Sequence, residues 1–150
     1  MEMDEDFLEA HDLDFFAYFE DGLLGHFATA GQGFVPELVK SSIENYERVY
    51  DYVDSLGENF GFKVIDRNVP EFNATAQRDR YLKSFSIMAK KGFFSYDYRG
   101  DRYQLIVAPQ IGRRISEVPS DIGSALAALS LSTSENIELI SSNFFKLDLN

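Results

Sequence analysis

Two stretches of the chain alternate aromatic or branched residues around a turn-forming core, and they constrain the fold more than any other feature. The first, DFFAYFEDGLLGHFATA from Asp14, turns at Asp21-Gly22, a pair that accepts the positive φ of a tight hairpin. The second, FFSYDYRGDRYQLIVAP, turns at Arg99-Gly100-Asp101. Tyr96 and Tyr98 share one face, and Tyr103, Leu105 and Val107 alternate on the returning strand until Pro109 ends it. Two such hairpins need cover for their apolar faces. The segments between and after them have the helical period that supplies it.

Val39, Ile43, Tyr46, Tyr50 and Val53 recur at spacings of 4, 3, 4 and 3, which places them on one face of one helix. Lys40, Glu44, Glu47, Arg48, Asp51 and Asp54 lie mostly off that face. Pro36 suits the first turn of the helix, and Leu56-Gly57 predicts a left-handed glycine cap at its end. Phe60 to Ile65 reads as a short strand, and Asn68 to Pro70 leads away from it. A second helix fits Ala76 to Lys91, with Tyr81, Phe85 and Met88 in one row, Lys90 and Lys91 in the last turn, and Gly92 as its stop. Pro119-Ser120 opens a shorter helix carrying Ile122, Leu126 and Leu129. Ile137 to Leu149 reads as a final strand or a helical tail, and residues 1–12 as a flexible acidic tail or short helix. The expectation is a single α+β domain over residues 1–150, an antiparallel sheet of hairpins packed against two or three helices.

With 45% hydrophobic residues in 150, the chain is long enough to bury its own core. It has no cysteine, which excludes disulfides, thiolate metal sites and cysteine nucleophiles, and makes a reducing, cytoplasmic location the expectation. MEMDEDFLEAHD has neither the basic nor the apolar region of a signal peptide, and no run approaches the roughly 18 apolar residues of a membrane span. The net charge of −11 is unevenly placed: Met1 to Val39 holds ten acids and no base, and the other 111 residues hold fifteen acids and fourteen bases. Such a field repels nucleic acid and anionic lipid and steers a basic partner inward. A role in solubility alone is the competing reading.

The familiar motifs of site chemistry are incomplete in this chain. HFATAGQGFVP, from His26 to Pro36, resembles a phosphate loop, but no lysine precedes Lys40, and Pro36 stands where a dinucleotide fingerprint needs its third glycine. Helix entry is the better account, with Gly31 and Gly33 permitting unusual φ. His11 and His26 are the only histidines and lack any zinc-ligand spacing. Asp4-Glu5-Asp6 lacks the calcium-loop pattern, there is no GxSxG elbow, and no spacing selects an acid/base pair. Arg99-Gly100-Asp101 and the glycosylation-like Asn73-Ala74-Thr75 read as chance matches. Arg78, Arg80, Lys83, Lys90, Lys91, Arg99 and Arg102, interleaved with Tyr81, Tyr96, Tyr98 and Tyr103, form at most a weak nucleic-acid surface. Asp79, Asp97 and Asp101 dilute it, and pairing with the chain's own acidic segment is expected instead. No catalytic, cofactor-binding or metal residue is assigned, and no cofactor, nucleic acid or membrane is expected.

The order HFATAGQGFVP, then the Glu/Tyr-rich helix, then YLKSFSIMAKKGFFSYD and YQLIVAP resembles small immunity proteins of bacterial polymorphic-toxin and contact-dependent growth-inhibition systems, over roughly residues 14 to 109. The resemblance implies a cytosolic protein, not an enzyme, that binds one cognate toxin domain and blocks it. Toxins of this kind include nucleases, basic because their substrate is polyanionic. Acids beside aromatics suit such an interface, so Asp12, Asp14, Tyr18, Glu20 and Asp21, around Phe15, Phe16 and Phe19, are the expected partner-binding residues. Two other classes stay open. One is a ligand-binding or enzymatic domain with an acidic pocket; the other is a regulator or scaffold whose basic partner is not a toxin.

Overall fold

The computed structural model describes residues 1–10 and 13–138, without the side chains of Glu9 and Ala10. Both hairpins form. β1 (Asp14–Tyr18) pairs antiparallel with β2 (Leu24–Ala28) across a turn in which Gly22 takes φ +86°. β4 (Phe94–Arg99) pairs with β5 (Arg102–Pro109) across Gly100 and Asp101, at φ +61° and +84°. A short acidic helix, α1 (Glu5–Ala10), precedes them.

The sheet is not antiparallel throughout. Among the described residues seven strands, including β3 (Phe62–Val64), β6 (Ala127–Ala128) and β7 (Asn136–Ile137), form it; the order is β3-β5-β4-β2-β1-β6, with β7 also on β5. The hairpins meet through a parallel β2–β4 contact, and β6 (Ala127–Ala128) joins β1 in parallel. The cause lies between the hairpins, where the chain forms α2 (Glu37–Lys40), α3 (Ile43–Ser55), β3 and α4 (Thr75–Lys90) before re-entering the sheet. A connection of that length can cross over and return in the same direction, which a tight turn cannot.

Four local expectations change as well. The single helix after Pro36 is two, α2 (Glu37–Lys40) and α3 (Ile43–Ser55), because Ser42 is extended and its hydroxyl accepts the Asn45 N–H at 3.1 Å as an N-cap. α3 then ends at an extended Leu56 rather than at a left-handed Gly57. On β5 a bulge sets Ser95 opposite Val107 but Tyr96 opposite Leu105, so Val107 leaves the face of Tyr103 and Leu105. Lastly, α5 (Ser120–Gly123) stops before Leu126 and Leu129, since the next residues occupy the open edge of β1; the Leu129 N–H donates to the Tyr18 carbonyl at 2.8 Å. α4 (Thr75–Lys90) ends as expected, at Gly92 with φ +98°. β7 (Asn136–Ile137) begins the expected final segment, and residues 139–150 lie outside the described residues.

The two faces of the sheet bury different things. Phe15, Phe27 and Tyr96 stack at 5.0 Å spacings on one face, with Phe19 and Tyr103 beside them, under Val35, Val39 and Leu129. Each fully buried ring stabilises the fold by about 2–3 kcal/mol. The other face carries α3, through Val49 and Val53 on Phe16 and Leu24, and α4, through Leu82, Phe85 and Ala89 on Ile106 and Val107.

Candidate functional site

Strand register brings polar side chains together on the helix-covered face. Asp14, Ala28 and Asp97 form one row across β1, β2 and β4, and Phe16, His26 and Ser95 form the next. Residues two apart on a strand share a face, so Asp14, His26, Ser95 and Asp97 all point toward the helices. Their row lies at the carboxyl end of the parallel β2–β4 pair, where open α/β sheets place ligands.

His26 is buried between Phe16 and Phe85, with ring centroids at 5.5 and 6.2 Å. Its Nε2 lies 2.7 Å from Asp14 Oδ2 and its Nδ1 2.7 Å from Ser95 Oγ. Both ring nitrogens therefore have a polar partner, Nε2 the Asp14 carboxylate and Nδ1 the Ser95 hydroxyl. From α4, the Tyr81 hydroxyl donates to Asp97 at 2.6 Å; from α3, the Tyr46 hydroxyl donates to the Asp14 carbonyl at 2.7 Å. Burial pushes the Asp97 carboxyl above the usual range; the Tyr81 bond, Arg99 and His26 oppose this, and the Asp14 charge adds to it. Burial and the charges of Asp14 and Asp54 push the Tyr50 phenol up to about 12. Burial acts in the same direction on Tyr46 and Tyr81.

Asp14, His26 and Ser95 have the composition of a hydrolytic triad. A serine nucleophile must be within reach of a carbonyl carbon, but Ser95 is 0% exposed, and His26 beside it is covered by Phe85 of α4. As they stand, these three residues tie three strands together and offer no substrate a nucleophile.

A cavity of about 260 Å³ lies elsewhere, against the HFATAGQGFVP loop, and is lined by Leu8, Leu13, Thr29, Phe34, Val35 and Lys40 among others. The amides a phosphate would need are already used there. Those of Gln32 and Gly33 donate to the Thr29 carbonyl, that of Gly31 to the Thr29 hydroxyl, and Lys40 pairs with Glu37 at 2.8 Å. Gly31 has φ +74°, whereas Gly33 is needed for space, since a Cβ on it would collide with the Tyr103 hydroxyl.

The expected partner-binding residues do not form one patch. Asp12 lies outside the described residues. Asp14 is half-buried and engaged by His26. Tyr18, at the other end of β1 and about 13 Å away along the strand, packs beside Phe16 and Leu24. Glu20 and Asp21 are exposed in the following turn, where they accept hydroxyls from Ser132 at 3.1 Å and Thr133 at 3.3 Å.

A larger acidic surface lies on α3. Glu44, Glu47, Asp51 and Asp54 run down its outer side, all exposed. Glu44 binds the chain's amino terminus at 2.7 Å, and no cation lies within 4 Å of the other three among the described residues. Arg48 is the only base on the helix, and it reaches toward Asp121 at 3.9 Å. Hydrogen bonds of Met1 and Met3 to Ile43 and Lys40 hold the N-terminal segment beside the start of α3, and α1 adds Glu5 and Asp6. Residues 1–58 thus hold fifteen acids and two bases, against nine acids and eleven bases in residues 59–138. The signal for this surface is in the sequence, in the acidic positions off the apolar face of the helix.

The basic and tyrosine-rich stretch is dispersed. Lys91 is buried and donates to the Val53 carbonyl at 2.9 Å, at the C-terminus of α3 where a cation is favoured. Arg99 binds the Asn68 carbonyl, Arg78 binds Asp66, Arg102 reaches Asp101 and Glu138, and Tyr96 and Tyr103 are buried. These pairings are with residues beyond the N-terminal acidic segment, not with that segment as expected. Among the described residues no three His, Cys, Asp or Glu side chains are placed to hold a metal ion, and no helix is long and apolar enough to cross a membrane. Comparison of the chain with protein-family models, with curated proteins and with solved structures finds no match.

Proposed function

We propose that the protein is a binding protein of the immunity type, which occludes the active site of a basic toxin domain, such as a nuclease, through its acidic side. The observation that carries this reading is the outer side of α3. Like charges three and four residues apart weaken a helix by about 0.2–0.5 kcal/mol per pair, yet Glu47, Asp51 and Asp54 have no cation near them among the described residues. A basic partner supplies the missing cations, speeds encounter by long-range attraction and is selected by contacts between the charges. The proposed interface is therefore α3 and α1, with Glu20 and Asp21 as a separate outlying patch and Asp14 left in its internal role.

The test starts from the gene neighbouring this one. If it encodes a basic toxin domain, co-expression of the intact protein rescues growth and the two proteins co-purify. Reversal of the stripe in E47K/D51K/D54K then weakens binding by at least about tenfold at low salt, with most of the loss in association rate. E20K/D21K weakens it less. Unchanged affinity in the triple variant would sink the placement on α3, and absence of rescue by the wild-type protein would remove the immunity reading. The enzymatic alternative gains ground only if a fluorophosphonate probe labels Ser95 in the folded protein.

A further inference from the structure

The Asp14–Ala28–Asp97 row has a property that partner binding does not use. Two carboxylates stand two strands apart on one face, about 9–10 Å between Cα atoms, with Ala28 between them in register. Among the described residues, the Asp14 carboxylate is bonded to His26 and that of Asp97 accepts from Tyr81. The groups facing them are His26 on β2, Arg99 on β4, Tyr46 and Tyr50 on α3, and Tyr81 on α4, with Asp54 acting on Tyr50 from the next turn. Arg99 already donates to the Asn68 carbonyl, so it is shared rather than dedicated to Asp97.

We propose that this seam is a proton-responsive latch: a proton taken up at Asp97 relieves the repulsion from Asp14 and seats the Tyr81 region of α4 more firmly on β4. The sign follows from burial. Asp97 binds its proton more readily in the closed structure than when water reaches it, so opening α4 costs more once the proton is bound. The extra stability is fully present below the ordinary carboxylate range and is lost as pH rises through the elevated folded value. The latch is thus tightest at the ordinary carboxylate value and loosens as pH rises past the elevated one. The phenols do not titrate in this window, because burial raises all three.

Hydrogen exchange of the α4 amides around Tyr81, corrected for the intrinsic pH dependence of exchange, tests the idea on the intact chain. In the wild type, protection rises about three- to tenfold as pH is lowered from about 8 to about 4, the ordinary carboxylate value. Asp97→Asn keeps the acceptor for Tyr81 and removes the charge. Its protection is then flat with pH and, even at the alkaline end, as high as that of the wild type in acid. Tyr81→Phe removes a bond that favours the carboxylate, so it moves the rise to higher pH, and it serves as the test if the asparagine variant fails to fold. Parallel pH profiles for wild type and both variants would overturn the latch, as would a flat profile in the wild type.

Discussion

Gly33 looks in the sequence like a phosphate-loop glycine and in the structure like a packing residue. Its neighbour Tyr103 runs beneath it to donate to the Phe34 carbonyl at 3.0 Å, and any Cβ on residue 33 meets that hydroxyl. Gly33→Ala therefore destabilises the protein by about 1–3 kcal/mol, the usual cost of overpacking. Tyr103→Phe removes the obstructing oxygen along with its hydrogen bond. The double variant should thus lose less stability than the two single losses added, and denaturant titrations of the four proteins check this. Strict additivity would mean that Gly33 is required for its backbone instead. None of this was legible beforehand, because a motif search sees the glycine but not the tyrosine 70 residues away that dictates it. Lys91 escaped notice for the same reason: composition counts it as a surface base, while the fold buries it against the end of α3.

At the level of elements, the sequence was most informative where local chemistry acts alone. Asp21-Gly22, Gly92 and Arg99-Gly100-Asp101 each stop or turn the chain where expected, because a positive φ at these places is a local demand. Periodicity misled at Ser41-Ser42. Val39 stays in step with Ile43 and Tyr46 and packs in the cluster of Phe15 and Tyr103, whereas Val49 and Val53 pack in the cluster of Phe16 and Leu24. Ser42 breaks the helix, and the cap it provides has its own test: Ser42→Ala should cost about 1 kcal/mol. That loss appears as a lower thermal midpoint and as faster exchange at the first amides of α3, while α4 keeps its protection. If α2 and α3 instead fuse into one helix, far-ultraviolet dichroism deepens and the cap account is wrong. The parallel junction of β2 with β4 was unreadable for a different reason. Each hairpin specifies its own register, and nothing in either specifies which edge meets the other.

For the molecule as a whole, the charge is the property the sequence stated most plainly, and the fold confines it further than the chain order does. Hydrogen bonds from Met1 and Met3 bring the acidic N-terminal segment beside α3, so charges from both ends of residues 1–58 act on one another. A surface built this way works against the stability of the free protein, and salt should reveal how much. Raising ionic strength to about 0.5 M shortens the screening length to a few ångströms, so the wild-type thermal midpoint rises if self-repulsion is large. Neutralising the stripe in E47Q/D51N/D54N removes three like-charge neighbours within α3, Glu44 with Glu47, Glu47 with Asp51 and Asp51 with Asp54, and should stabilise the free protein by about 0.5–1.5 kcal/mol at low salt. At high salt that advantage shrinks toward the difference set by helix propensity alone, because screening has already removed the repulsion in the wild type. The same variant binds a basic partner more weakly under the proposal above, so its stability and affinity move in opposite directions. Melting curves at two salt concentrations settle the stability half. A variant no more stable than wild type at low salt would mean that the carboxylates on α3 are far enough apart, or hydrated enough, to cost nothing, and the stripe would then cease to be evidence for a partner.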